Sequence, residues 1–165
     1  MREPGELSVE LTDEAATRAA GAALARVLTE RAIDRFLVTL SGELGAGKTT
    51  WVRGFLEALG VSDPVRSPTY TLIESYPVGS RTVHHLDWYR LADASDLEGL
   101  GFRDLAGPGQ WVLIEWPERA PEVAATADLR FELEYRAKGR SLKVRAGSPT
   151  GQGVLAALKT ANALG

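Results

Sequence analysis

The stretch Phe36 to Thr50, FLVTLSGELGAGKTT, decides how the chain is to be read. Its first five residues, Phe36-Leu37-Val38-Thr39-Leu40, form a short apolar run rich in strand-forming side chains, bounded by glycine. That pattern predicts a buried β-strand. The chain then turns through Gly42, Gly45 and Gly47 and reaches Lys48-Thr49. Gly42 to Thr49 satisfies the spacing G-x-x-x-x-G-K-[ST] of a phosphate-binding loop in full. Glycines let successive backbone N–H groups of Gly45, Ala46, Gly47, Lys48, Thr49 and Thr50 converge on one anion. Lys48 supplies an ammonium for β- and γ-phosphates, and the Thr49 hydroxyl suits the oxygen shell of Mg²⁺. A helix beginning near Gly47 aims its positive end at the same point. The required context, strand before and helix after, is present. From Lys48 to Leu59, Val52, Phe55, Leu56 and Leu59 share one face, and Gly60 stops the helix.

The chain has 165 residues, of which 44% are hydrophobic and 25% charged. This matches one α/β domain over residues 1–165. A net charge of −3 offers no electrostatic case for wrapping nucleic acid. The absence of cysteine excludes disulfides, thiolate metal sites and cysteine nucleophiles. The first ten residues lack the apolar core of a signal peptide, and no run has the length of a membrane span, so a cytoplasmic protein without membrane contact is expected.

Upstream of the loop, Glu6 to Leu11 alternates and predicts an edge strand. Thr12 reads as a helix N-cap, with Asp13 and Glu14 in the first turn and an apolar stripe continuing to about Arg31. The start of this helix either lies beside the nucleotide or is only a packing helix with a good cap. Downstream, Ser67, Thr69 and Thr71 crowd a loop around Pro68. Such a loop is either a γ-phosphate switch or a plain entry into the strand Thr71 to Tyr76. Arg81 to Trp88 predicts a strand ending in Asp87. His84 and His85 are adjacent on it, so they point to opposite faces and do not share a metal ion. Trp111 to Glu115 predicts a second buried strand that also ends in an acid. Asp87 and Glu115 are both candidates for holding Mg²⁺ or the attacking water. Trp116 either shapes the site or simply packs. The strand Leu129 to Tyr135, the turn Lys138-Gly139 and the strand Leu142 to Arg145 predict a hairpin whose basic residues, Arg136, Lys138, Arg140, Lys143 and Arg145, form either a solvated face or a partner site. A last helix is predicted over Val154 to Leu164.

Four blocks in order make the pattern more specific: SGELGAGKTT from Ser41, VRSPTYTLIESY from Val65, HLDWYRL from His85 and LIEWPER from Leu113. With GFRDL from Gly101, they make the chain resemble the TsaE family (formerly YjeE) of small bacterial P-loop ATPases. The resemblance implies a role in making N6-threonylcarbamoyladenosine at position 37 of tRNAs that read codons starting with A. It implies ATP hydrolysis, weak alone, in complex with TsaB and TsaD, with tRNA met through that complex. It assigns the phosphates to Lys48 and Mg²⁺ to Thr49 and Glu115, and it has Asp87 either orient or activate the attacking water or sit in the second shell of the metal. Thr69 would respond to the γ-phosphate, Trp116 would back the site, and Glu14 would lie by the nucleotide.

The expected architecture is a P-loop NTPase-like three-layer α/β sandwich with a mixed central sheet and a C-terminal antiparallel hairpin. The sheet is expected to be mixed because the link between the strands in Thr71 to Trp88 is too short for a helical crossover. Two other functional classes share the phosphate loop. One is a small-molecule kinase, against which no Arg-rich lid segment is evident. The other is a nucleotide-dependent binding module, which has no need of two acids at strand ends.

Overall fold

A computed structural model describes residues 5–66, 68, 71–99 and 101–161. At its centre the apolar run forms strand β2 (Phe36–Ser41), fully enclosed from Phe36 to Leu40. Burial on both faces is what a parallel strand covered by helices requires. β2 pairs in parallel with β5 (Gln110–Glu115) on one side and β6 (Leu129–Tyr135) on the other. Beyond β5 lie β4 (Arg81–Asp87), parallel to it, and β3 (Ile73–Val78), antiparallel to β4. Beyond β6 lie β7 (Arg140–Ala146) and the edge strand β1 (Glu6–Leu11), both antiparallel to their neighbours. The seven strands run in the order β1-β7-β6-β2-β5-β4-β3. The mixed sheet follows from the chemistry of the connections. Only Gly79 and Ser80 separate β3 from β4, and two residues close a hairpin but not a crossover.

Alternation along β2 and β5 divides the core in two. Phe36, Val38, Leu40, Trp111 and Leu113 face α1 (Glu14–Glu30), α2 (Lys48–Ala58) and α6 (Pro149–Thr160). Leu37, Val112 and Ile114 face the other way. There they meet Leu97 of the short helix α3 (Asp96–Gly99), and Phe102 of α4 (Phe102–Leu105) packs at the margin. The turn Pro117–Arg119 and α5 (Pro121–Ala124) complete this third layer. Leu100, expected to face inward with Leu97 and Phe102, lies outside the described residues.

On the first face, Trp51 and Phe55 of α2 stack at 5.8 Å, and Trp51 meets Phe131 of β6 at 4.8 Å. Trimming such a fully buried ring to alanine costs about 3–5 kcal/mol. The helices α1 and α2 touch backbone to backbone. A methyl at Gly21 would overlap the Trp51 carbonyl, and one at Gly54 would overlap the Arg18 carbonyl. α2 is therefore seated both by its aromatic face on the sheet and by a close helix partner, and its N-terminus is the end that carries the loop.

Two helix boundaries differ from the expectations. Asp13, not Thr12, caps α1, its carboxylate accepting from the Ala16 amide at 2.8 Å. The last helix starts at Pro149 rather than Val154. Proline lacks the N–H that a first helical turn leaves unpaired, so it begins helices as readily as it ends them. Ser148 caps this one by accepting from Gly151 N at 2.9 Å, and its hydroxyl donates to Asp128 at 2.6 Å.

Candidate functional site

The loop between β2 and α2 curls as its glycines allow. Gly42, Gly45 and Gly47 have φ of 144°, 79° and 110°, backbone that other residues rarely adopt. The loop lies at the C-terminal ends of β2, β4 and β5, where parallel sheets present their ligand sites. A cavity of about 390 Å³ opens there, lined by Gly45, Gly47, Lys48, Thr49, Thr50, Asp87, Glu115 and Trp116, with Leu44, Tyr89 and Arg90 at its margin.

Lys48 is 4% exposed. Its ammonium donates to the Gly42 carbonyl and, at 3.1 Å, to that of Glu43. The Trp116 ring covers it at 3.8 Å. Burial pushes the Lys48 pKa below the ordinary lysine value, while Glu115, Glu118 and Asp87 pull it back up. An enclosed cation held by two neutral carbonyls and a ring face is well placed to gain from an incoming phosphate.

Asp87 and Glu115 are directly opposite each other in the parallel register of β4 and β5. Both are nearly inaccessible, at 5% and 2%. The two acids nevertheless have different neighbours. The Thr49 hydroxyl lies 3.1 and 3.2 Å from the two Glu115 oxygens. Asp87 accepts from the Tyr89 amide at 2.9 Å, within its own turn. Thr49 and Glu115 thus offer two hard oxygen donors side by side, which suits Mg²⁺. Among the described residues no group of three or more His, Cys, Asp or Glu side chains gathers as a ligand set. An ion here would complete its octahedron with phosphate and water oxygens, the usual arrangement for Mg²⁺ at a nucleotide.

Trp116 follows Glu115 with φ of 60°, a strained backbone for a bulky residue. The conformation turns its ring back over Lys48, and Tyr89 packs against it at 4.9 Å.

The remaining expected residues fall as follows. Ala46 is fully buried in the loop. Glu14 pairs with Arg18 at 3.2 Å on the helix surface and does not line the cavity. One turn on, Thr17 is buried with its methyl facing Gly47. Thr69 and Ser67 lie outside the described residues, and the Thr71 hydroxyl donates to Ile73 O at 3.3 Å. His84 and His85 do point to opposite faces. His84 lies between Ser75 and Gln110, and His85 lies 2.5 Å from Glu115.

Two residues of the C-terminal hairpin, Tyr135 and the Arg140 of its basic cluster, hold the loop from behind. The Tyr135 hydroxyl donates to Leu44 O at 3.0 Å. Arg140 donates to Ala46 O at 3.2 Å and reaches Gly45 O at 3.5 Å, its guanidinium lying over the Tyr135 ring. A side chain at Gly45 would meet the Tyr135 hydroxyl at 2.6 Å.

Residues 11–142 match the family profile described as threonylcarbamoyl adenosine biosynthesis protein TsaE. The chain belongs to the TsaE family. A TsaE protein of Haemophilus influenzae is 39% identical over 134 residues, 81% of this chain and 83% of the relative. One from Bacillus subtilis is 43% identical over 95 residues, 57% of this chain and 58% of that one. Both are described as tRNA threonylcarbamoyladenosine biosynthesis proteins. The fold is also that of the crystal structure of Bacillus subtilis YdiB, with a TM-score of 0.73 over 98% of this chain and 99% of that one at 23% identity. The TsaE match spans the phosphate loop, both acidic strand ends and the residues bracing the loop.

Proposed function

We propose that this protein is the ATP-hydrolysing component of tRNA threonylcarbamoyladenosine synthesis, a single P-loop ATPase domain working in the cytoplasm with the TsaB–TsaD pair. The pathway is the one for which its TsaE relatives are named. One observation carries the enzymatic part: a buried Lys48 and a Thr49–Glu115 pair share one cavity with a second enclosed acid, Asp87. A protein that only bound nucleotide would gain nothing from the second acid.

In this reading the amides from Gly45 to Thr50 and the Lys48 ammonium hold the β- and γ-phosphates. Thr49 and Glu115 hold Mg²⁺, which supplies charge neutralisation between the two phosphates. Asp87, beside Glu115 but turned to a different neighbour, orients the attacking water and takes its proton. Trp116 closes the cavity over Lys48. Phosphoryl transfer needs little covalent help, so positioned charge is the whole of the catalytic equipment. A low rate is expected until a partner completes the site. Membership of the TsaE family favours this reading over a small-molecule kinase. No helix among the described residues is long and apolar enough to cross a membrane.

The test is an ATPase assay with and without TsaB–TsaD and tRNA. Weak Mg²⁺-dependent turnover, raised by the pair, is the expected result. Turnover that requires a small-molecule acceptor, or none under any condition, would overturn the proposal.

A further inference from the structure

His85 is completely buried on β4, under the corner where Thr49 and Glu115 meet. Its Nε2 lies 2.5 Å from Glu115 Oε2, while Nδ1 is buried with no hydrogen-bond partner among the described residues. A nitrogen facing a carboxylate oxygen carries its hydrogen toward that oxygen. Nδ1 has nothing to donate to, so the ring makes one polar contact, and that contact is with Glu115. A core histidine serving only to fill space would not leave one nitrogen orphaned and direct the other at a candidate metal ligand.

Glu115 thus receives hydrogen bonds from two directions. The Thr49 hydroxyl reaches both oxygens from α2, and His85 reaches Oε2 from the neighbouring strand. Thr49 would ligate an ion through an oxygen lone pair and keep its hydrogen for the carboxylate, so that contact shifts with the ion that Thr49 holds. The contact from His85 does not depend on that ion.

We propose that His85 is a positioning residue for Glu115, fixing the carboxylate from behind with Oε2 so that Oε1 is presented to the nucleotide-bound cation. The inference rests on the reading of Glu115 as a Mg²⁺ ligand given above. Groups that orient a metal ligand are worth roughly 10- to 100-fold in metal affinity.

The test compares His85→Leu, His85→Asn and His85→Gln with the wild-type protein. Affinity for a non-hydrolysable ATP analogue is measured by calorimetry in Mg²⁺ and in EDTA. Glutamine places an amide N–H where Nε2 stands, asparagine stops one methylene short, and leucine has no donor. The gain in affinity from Mg²⁺ should fall roughly 10- to 100-fold in the leucine and asparagine variants and return to within a few-fold in the glutamine variant. The EDTA affinities should stay alike in all four. Circular dichroism and thermal melting show which variants fold. Should leucine fail to fold, the glutamine–asparagine pair, equal in polarity and differing in reach, still decides. A wild-type Mg²⁺ response kept in full by the asparagine variant overturns this inference alone. So does a glutamine variant as impaired as asparagine. A wild-type protein indifferent to Mg²⁺ overturns the metal reading of Glu115, and this inference with it.

Discussion

The phosphate loop is held from two sides, and the two sides work differently. On the β4–β5 side the contacts are between side chains: Thr49 with Glu115, both lining the cavity, and Glu115 with His85 behind it. On the β6–β7 side Tyr135 and Arg140 grip only backbone carbonyls, those of Leu44, Gly45 and Ala46. Glu115 and His85 are enclosed and Thr49 is half-buried, while Tyr135 is 45% exposed. A carbonyl held from outside leaves its peptide N–H directed elsewhere, so the second set shapes the amide cradle without competing for phosphate. In the proposed function one side carries the chemistry and the other sets the form of the loop. Variants on the two sides should therefore fail in different ways.

The largest loss is expected inside. Lys48→Ala should reduce turnover by roughly 10²-fold or more and weaken triphosphate binding, with an unchanged circular dichroism spectrum. Near-normal ATPase activity would break the assignment of the loop.

Next in size is the division of labour between the acids. Glu115→Ala should damage Mg²⁺-dependent ATP binding and turnover together. Asp87→Asn should keep ATP affinity within a few-fold and lower single-turnover hydrolysis by roughly 10²-fold. Measuring affinity and single-turnover rate on both variants decides the matter. If Asp87→Asn loses Mg²⁺–ATP binding while Glu115→Ala keeps it, the two roles are exchanged.

The outer grip should matter less. Arg140→Met keeps the stem over Tyr135 but removes the donors. A net loss of about 1 kcal/mol per hydrogen bond predicts nucleotide affinity lower by up to about tenfold, with or without Mg²⁺. Indifference to the metal separates this variant from those at Glu115. Arg136→Ala, whose side chain pairs only with Glu134, is the control and should leave affinity unchanged.

The smallest signal is a proton. Burial lowers the pKa of Lys48 below 10.5, and phosphate oxygens beside it would raise it again. The bound form then holds more proton than the unbound form at alkaline pH. Affinity should be full below the ligand-free value and decline as pH rises through it. Calorimetry in buffers of different ionisation enthalpy should detect proton uptake on binding, and Lys48→Met should abolish it.

The two sides also differed in how well they could be read from sequence. Gly42 to Thr49 is contiguous, and its spacing is its own evidence. Asp87 and Glu115 announce themselves by ending apolar strands. The grip of Arg140 is fixed by a residue 94 positions from its partner in the chain. An arginine beside a hairpin turn looks the same whether it meets water or a loop. His85 was legible in part. Strand alternation separates it from His84, but its meeting with Glu115 depends on the β4–β5 register, which no local pattern encodes. Thr12 and Asp13 are both good caps one residue apart, and the backbone chose the second. The last helix begins at Pro149, ahead of the predicted Val154, because Ser148 caps it and the two glycines that follow do not delay it.

The sheet order has a consequence for synthesis. β1 leaves the ribosome ahead of the six other described strands, yet among the described residues it pairs with β7 alone. Glu6 meets Arg145 across 139 positions of chain. At ordinary rates of elongation that wait is on the order of ten seconds. During it, Leu7 and Leu11, both buried in the finished protein, have no strand beside them. The helix that follows can already seat itself on α2, so β1 would hang from a folded pair as a loose edge. The hairpin that closes this edge is the one that carries Tyr135 and Arg140. A nascent chain would therefore own its lysine, threonine and both acids before the outer hold on the loop exists, and the nucleotide cradle would take its final shape only once that hairpin has formed.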